Sequence, residues 1–552
     1  LDPALKESTS IYIGSDPSGT TDTANYNVAL GDGALDAITT SDSNVAIGSN
    51  ALTAATVGDR NIAVGYAALQ ANVNGDRSVA VGVQALLTQN PASANTDMYN
   101  VAIGTNAGYD LTTGVQNVLI GGLVGDEITT GSNNVALGYR AGGGSSASPG
   151  MTGTHNISIG SDAGGKLNSG DDNIFIGYAA GIEHTTGSKN VFLGIEAGQA
   201  STTAEKNIGI GYRTLEALTT AQYNVAVGSY SLDTNTTGER NTALGHSTLA
   251  ANVAGDASTA IGFQALLAQN PSGNVDMFNT AVGNVAGTAV TTGKHNTLIG
   301  SHSGDDISTG SYNSAVGYKS GGSNSEATGN YNSSLGYSAG EMLTSAQEST
   351  LIGAFAGEEI TTGHYNTAVG YNAGGGASAA ASTGAGNTSL GHSTLEAVTT
   401  GHSNVALGKN AMIAATTSHN SVAIGYQTLD AATTSFYNVA VGAQALTAND
   451  TGNYNTAVGY GTLKTQSGDA NYNTAVGYTA LQNSTSADYN VAIGGFAMQS
   501  NTSGTENVAV GYQALDASQQ GDRNTAVGYQ ALTTLNPSGN VDTYNSAFGY
   551  RS

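Results

Sequence analysis

The sequence predicts an all-β chain wound as a parallel β-solenoid of about 31 coils with a 17-residue repeat, and three observations predict it. One five-residue phrase recurs along all 552 residues, its copies are almost evenly spaced, and the composition excludes the other repetitive folds. The phrase Asn44-Val-Ala-Ile-Gly48 returns at Asn61–Gly65, Asn100–Gly104 and Asn134–Gly138, and continues to Asn545–Gly549. Of the 30 intervals between its 31 anchor glycines, 23 are 17 residues long and the other seven are 18 to 22. Glycine reaches 78 residues without a Gly-X-Y period, which excludes collagen, and a hydrophobic share of 39% is too high for simple disorder.

No heptad or 3.6-residue period underlies the phrase, and its β-branched residues favour strand. A 17-residue unit cannot bury a core alone, so each coil must stack on the next. At the spacing of parallel strands, 31 coils would make a rod of roughly 150 Å. Each coil reads as a firm strand over the phrase, a turn, a weaker strand over an Ala-Leu or Ala-Gly segment, and a polar Thr-Thr-Gly turn.

Columns of equivalent residues define what each position does. Four residues before the anchor glycine stands Asn in 26 coils, including Asn44, Asn61, Asn100, Asn134 and Asn524, and Ser in the other five. Such side chains bond to nearby backbone and to each other, which makes a turn-holding ladder; the functional alternative is a ligand-binding row. One residue before the glycine the column is always aliphatic or Phe, as at Ile47, Val64 and Leu137, and is expected to be core. Two before it stands Ala in 21 coils. Strand alternation then puts this small-residue stripe on the outside, where it would drive lateral bundling, with a trimer favoured.

Four residues after the glycine the column alternates in blocks. Coils over 31–103, 211–282 and 391–552 carry Leu or Met there, and coils over 104–210 and 283–390 carry Gly. In the Gly blocks an aliphatic residue often appears three positions later, as at Leu111, Ile128 and Ile307, so both arrangements are expected to fill the same space. The chain is thus a single solenoid over 1–552 with a second-order repeat of about 180 residues.

The sequence holds no convincing catalytic group. Its nine His have no ligand spacing, no Ser/His/Asp grouping stands out, and an unbroken repeat argues against an enzyme, so no catalytic or cofactor-binding residue is assigned. The acidic pairs Asp126-Glu127, Asp305-Asp306 and Glu358-Glu359 offer oxygen ligands for calcium, but without the nonapeptide calcium signature they read better as solvated charge. Three long intervals share an Asn-Pro insert, Asn90-Pro91, Asn270-Pro271 and Asn536-Pro537, and loops on a rigid scaffold are where recognition sits. Three others are glycine-rich. Of 27 Tyr, 13 directly follow an anchor glycine and 11 stand five residues before one, as caps on the strand or as a stacking surface for a glycan or protein partner.

The formal net charge of −25 argues against nucleic acid, no apolar run is long enough to cross a bilayer, and zero cysteine removes disulfides. The start Leu1-Asp2-Pro3 is not a signal peptide, so an exported protein would be a processed form. The three residues past Gly549, ending at Ser552, and the fourteen from Leu1 to Gly14 together complete one 17-residue coil, with Ser10 in the ladder column. That arithmetic implies a head-to-tail joint between subunits.

The phrase Asn-Val-Ala-Ile-Gly, followed by Ala and a Gly-containing turn, resembles the head repeats of trimeric autotransporter adhesins. Longer versions such as Asn524-Thr-Ala-Val-Gly-Tyr-Gln-Ala-Leu532 resemble repeats in phage tail-fibre and bacterial surface-fibre proteins. The period is 17 rather than nearer 14, and the chain has no coiled-coil stalk. The resemblance implies a left-handed β-roll, a homotrimer, and an extracellular, cell-surface or virion-surface place. Two functions follow as expectations: a structural fibre or filament with an adhesive role, or the receptor-binding rod of a tail fibre or adhesin. An ice-binding solenoid is weaker, because the Thr-Thr pairs fall in turns.

Overall fold

Each anchor phrase puts β-branched residues at alternate positions and forms a strand of three residues, such as Val45–Ile47, Ile62–Val64 and Val79–Val81. The computed structural model describes residues 5–7, 9–14, 23–143, 150–322, 326–375, 381–539 and 541–552. It is all-β, a parallel β-solenoid of about 30 turns with ~17-residue spacing, and no helix occurs among the described residues. The chain divides into two units, Leu1–Phe278 and Asn279–Ser552.

In the first unit the strands from Val28–Gly31 to Thr259–Ile261 pair in parallel, each with the next copy of itself. Val45 faces Ile62, Ala46 faces Ala63 and Ile47 faces Val64. Across the 22-residue interval Val79 still pairs with Val101, so the extra residues are expelled into a loop and the register is kept. The second unit runs the same way from Thr280–Val282 to Ser546–Phe548, with Val422 facing Val439 and Thr525 facing Ser546. Among the described residues one strand pairing is antiparallel: Leu5–Glu7 folds back on Ser10–Gly14, with Leu5 opposite Tyr12.

The weaker second strand is not formed. The Ala-Leu segment is instead a pair of tight turns, with the Ala51 N–H donating to the Gly48 carbonyl at 3.3 Å and the Ala55 N–H to that of Leu52 at 3.2 Å. Coils are tied across this segment as well, the Leu52 N–H reaching the Ala68 carbonyl at 3.0 Å. The turns need left-handed backbone: φ is 60° at Ser43, 59° at Asn50 and 50° at Leu52. The Leu/Gly column is therefore a place where Gly costs nothing in conformation and Leu is held by burial. The anchor column is stricter, since at Gly48, with φ 129°, a Cβ would lie 2.5 Å from the Gly65 carbonyl oxygen.

The two faces of the anchor strand are the reverse of the expectation. The Ala column points inward, with Ala46, Ala63 and Ala80 fully buried, and the aliphatic column points outward, with Ile47 36% and Leu137 43% exposed and Val64 half-buried. A 17-residue coil is narrow, and it has room inside for one large side chain per turn from the Leu column plus small residues from the strand. Leu35, Leu52, Leu69 and Leu86 supply that side chain in the first Leu block, and all are fully buried.

In the Gly blocks the space is filled from two other points. The aliphatic residues three positions later are buried, Leu111, Ile128 and Leu167 in the first unit and Val290, Ile307, Leu343 and Ile360 in the second. The strand itself adds Leu119, Phe175 and Phe192 in the first unit and Leu298 and Leu351 in the second, where other coils have Ala. A Cβ at Gly198 would meet the Phe192 ring at 2.5 Å, and one at Gly357 would meet Leu351 at 2.6 Å. Either the column four residues on is Gly and the strand residue can be large, or the column is Leu and the strand residue is small.

Candidate functional site

The Asn column forms a buried ladder. The Asn61 N–H donates to Asn44 Oδ1 at 2.8 Å, that of Asn117 to Asn100 Oδ1 at 2.9 Å, and that of Asn134 to Asn117 Oδ1 at 3.0 Å. Each Nδ2 then donates to a carbonyl of the next turn, Asn61 to Gly75 at 2.8 Å and Asn134 to Gly153 at 2.9 Å. Asn524 accepts from Thr543 Oγ1 at 2.7 Å, while its own N–H donates to Asn507 Oδ1 at 2.9 Å. Acceptor and donors are engaged on the backbone, so this column holds coils together and presents no group to a ligand.

Where the ladder has Ser beside an Asn-Pro insert, a buried Gln makes up the missing length. Gln89 Nε2 donates to Ser78 Oγ at 3.0 Å, and its Oε1 accepts from Asn100 Nδ2 at 2.9 Å. Gln269 repeats the contact with Ser258 at 3.1 Å. The inserts share a second device, an Arg one coil earlier, or two in the case of Arg240, clasped to an Asp that pairs as a short second strand. Arg77 is paired with Asp97 and lies 5.5 Å from the Tyr99 ring centre. Arg240 meets Asp276 at 2.8 Å, and Arg523 meets Asp542 at 2.5 Å while donating to the Tyr544 hydroxyl at 2.9 Å. The predicted loop residues divide: Asn90, Asn270 and Asn536 are exposed while their Oδ1 atoms accept the Val73 N–H at 3.2 Å and the Val253 and Gln519 N–H groups at 3.4 Å, whereas Pro91 and Pro271 are buried and Pro537 is half-buried. Besides these Asn, the loops expose small residues, 92–95, 272–274 and 538–539. Much of the three glycine-rich inserts, 144–149, 323–325 and 376–380, lies outside the described residues.

The acidic pairs do not assemble a cation site. Among the described residues no group of three or more His, Asp or Glu is placed to hold a metal, and a pair of carboxylates falls well short of the six to eight oxygens calcium takes. Burial, aided by the neighbouring Glu127, pushes the Asp126 carboxyl up to about 6, so it resists carrying charge. Burial likewise raises Asp305, which is held 2.7 Å from His302 Nδ1 and so opposed in part by that ring, and it raises Glu358 and Glu359. Asp306 adds no third ligand to that pair.

Of the residues expected at a head-to-tail joint, the strand Ser10–Gly14 pairs with Leu5–Glu7 in antiparallel register. Ser10 is buried and accepts the Asn27 N–H at 3.0 Å. Ser552 donates to the Gly549 carbonyl at 3.2 Å, and Leu1 lies outside the described residues.

The feature that remains is the outer face of the strand. Two residues of every anchor phrase point out, and the one before the glycine is Ile, Val, Leu or Phe in all 31 coils. In the second unit Leu335 is 49% exposed, Leu390 45% and Ile493 41%. Tyrosine rows flank the face and stack along it: Tyr437, Tyr454, Tyr472 and Tyr489 on one side, and Tyr512, Tyr529 and Tyr550 on the other. Their ring faces are turned to one another, which leaves ring edges and hydroxyls at the surface. A stacked sugar needs an open ring face, and these rows do not supply one. Known protein families and curated proteins were searched with this sequence, and no family and no protein matches it.

Proposed function

We propose that the chain is a structural fibre protein, extracellular or on a cell or virion surface, whose copies pack side by side through the outer face of the anchor strand. The observation that carries this reading is the outward column that stays aliphatic or Phe in all 31 coils. A sheet face turned to water alternates apolar-in with polar-out; one apolar on both sides is normally sandwiched. Ten such side chains, each leaving on the order of 60–100 Å² open, exceed the few hundred Å² that a monomer usually exposes. Charge supports the choice of face: the net −25 is carried elsewhere in the coil, so copies meet where repulsion is least. A homotrimer is the number that the resemblance to adhesin heads favours. The test is solution mass by sedimentation, for the native chain and for a variant carrying Ile424→Asp, Val441→Asp and Val458→Asp. Multimers that the variant dissolves into folded monomers are expected; a native chain that is a stable, soluble monomer refutes the proposal.

A second reading, the receptor-binding rod, draws on the three Asn-Pro inserts, which repeat one clasp of Arg with Asp at Arg77, Arg240 and Arg523. A thrice-repeated loop gives avidity to an adhesive contact with a glycan or protein. Replacing Ser93, Asn95, Ser272, Asn274, Ser538 and Asn540 by Ala, with surface attachment as readout, separates the two: a fibre keeps its assembly and an adhesin loses its grip.

A further inference from the structure

We infer that the tyrosine rows of the second unit are sites of oxidative cross-linking, where a one-electron oxidant joins neighbouring coils through dityrosine. Tyr437, Tyr454, Tyr472 and Tyr489 lie with successive ring centres 5.1, 4.8 and 5.1 Å apart and planes within 9° of parallel. Their exposures are 52%, 47%, 48% and 57%. Tyr312 and Tyr331 repeat the arrangement at 4.8 Å, and Tyr512, Tyr529 and Tyr550 at 5.4 and 5.2 Å. From Tyr437 to Tyr489 successive rings are phenols of the same orientation, offered by a backbone whose register is fixed by parallel pairing.

The chemistry balances with hydrogen peroxide as oxidant and a haem peroxidase as carrier. Each of two phenols gives up one electron and its hydroxyl proton. The two phenoxyl radicals join by a bond between ring carbons ortho to oxygen, and the hydrogens on those carbons leave as the phenols are restored. Peroxide takes up the two electrons and two protons and departs as two waters. Closing from stacking distance to bonding distance needs only side-chain rotation, which exposed rings undergo freely. Within a row each ring presents itself to the next at an effective concentration on the order of millimolar or more, against micromolar between dissociated chains, so in the dissociated chain intrachain coupling should dominate by ~1000-fold. Each bond would staple coils 17 to 21 residues apart and restrict their separation, a use suited to a fibre although the inference does not rest on that role.

The sequence supplies its own controls. Tyr66, Tyr178 and Tyr426 are 52%, 55% and 47% exposed, but the same column in the coils beside them holds Ser49 and Val83, Ser161 and Ile195, and Lys409 and Ala443. The full chain at micromolar concentration is treated with haem peroxidase and peroxide, and in parallel with a small photochemical one-electron oxidant so that enzyme access is not what is read. Dityrosine fluorescence and mass mapping of peptides lacking two hydrogens report the products. Cross-links between Tyr437 and Tyr454, Tyr454 and Tyr472, and Tyr472 and Tyr489 are expected to dominate. The double variant Tyr454→Phe and Tyr489→Phe keeps the stacked rings but leaves no two phenols adjacent, and it should lose those products while retaining its fold. Absence of dityrosine with both oxidants, or products found mainly between chains or at Tyr66, Tyr178 and Tyr426, would overturn the inference.

Discussion

Phe192 and Gly198 share one space, and exchanging which of them fills it tests the core directly. Phe192→Ala removes a fully buried ring that stacks 5.5 Å from Phe175, and it should cost about 3–5 kcal/mol. Gly198→Leu alone brings a Cβ to 2.5 Å from the Phe192 ring and should cost about 1–3 kcal/mol by overpacking. Backbone is not the obstacle there, since φ is 60° at Gly198 and 54° at Leu215 one coil on. Independent effects would add to about 4–8 kcal/mol. The double variant instead rebuilds a Leu-type coil like that of Ala226 and Leu232, both fully buried, and should lie only about 1–3 kcal/mol below the native chain. A stacked repeat opens locally, so the assay is amide hydrogen exchange at Val191–Leu193 and the flanking strands Ile174–Ile176 and Ile208–Ile210. A double variant that exchanges as fast as the sum of the single effects predicts refutes the shared-space account.

Three further outcomes are expected. His184 is buried between Phe175 and Phe192, and burial, opposed by its bond to the Gly187 carbonyl, pushes it down to about 4. Its folded value lies below the unfolded one, so the contribution is complete above pH ~6.5 and is lost as pH falls towards 4, by ~3 kcal/mol in all; local exchange in His184→Leu should lack this acid limb. Asn117→Ala strands the buried Asn134 N–H and Gly131 carbonyl and should cost about 1–3 kcal/mol for each, whereas Asn117→Ser should cost less, because Ser421 Oγ accepts the equivalent Asn438 N–H at 3.2 Å; exchange at Val135–Leu137 reads the difference. Ala423→Leu on the inner face should cost about 1–3 kcal/mol, while Ile424→Ser on the outer face should leave the denaturant midpoint of the dissociated chain nearly unchanged; reversed magnitudes would return the aliphatic column to the core.

The coil, its period and its parallel register were legible because anchor glycines recur with the strand and tolerate no Cβ, so position in the repeat maps onto position in space. The ladder was legible in kind but not in detail. Ser78 and Ser258 each stand one coil edge before a Gln-Asn-Pro insert, and this pairing announces that Gln89 and Gln269 complete the ladder; the third insert keeps Asn524 and has Leu535 where the others have Gln. The Arg clasps were not read: Arg77, Arg240 and Arg523 all stand five residues before an anchor glycine, but that column is filled mostly by Tyr and other residues, and the Asp partners lie 20, 36 and 19 residues away.

Which face of the strand is inside was misread for a general reason. Alternation separates two sets of side chains and does not say which set faces in, and the larger set is the natural choice for a core only when the enclosed space is wide. The sequence nevertheless holds the deciding signal. Leu119, Phe175, Phe192, Leu298 and Leu351 are the only Leu or Phe in the Ala column, and each stands in a coil whose position six residues on is Gly. Gly209, the only Gly in that column, directly follows Phe192 by one coil, where a Cβ would come within 3.3 Å of the ring. A column exposed to water has no reason to adjust its volume to another column six residues away; a column sharing a closed space must. Meanwhile the aliphatic column shows no such compensation: coils with Leu or Phe in the Ala column carry Ile or Leu in the aliphatic one, and Val stands there only beside Ala. Size compensation therefore identifies the inside of a narrow solenoid, and the apolar column that lacks it lies on the outer face.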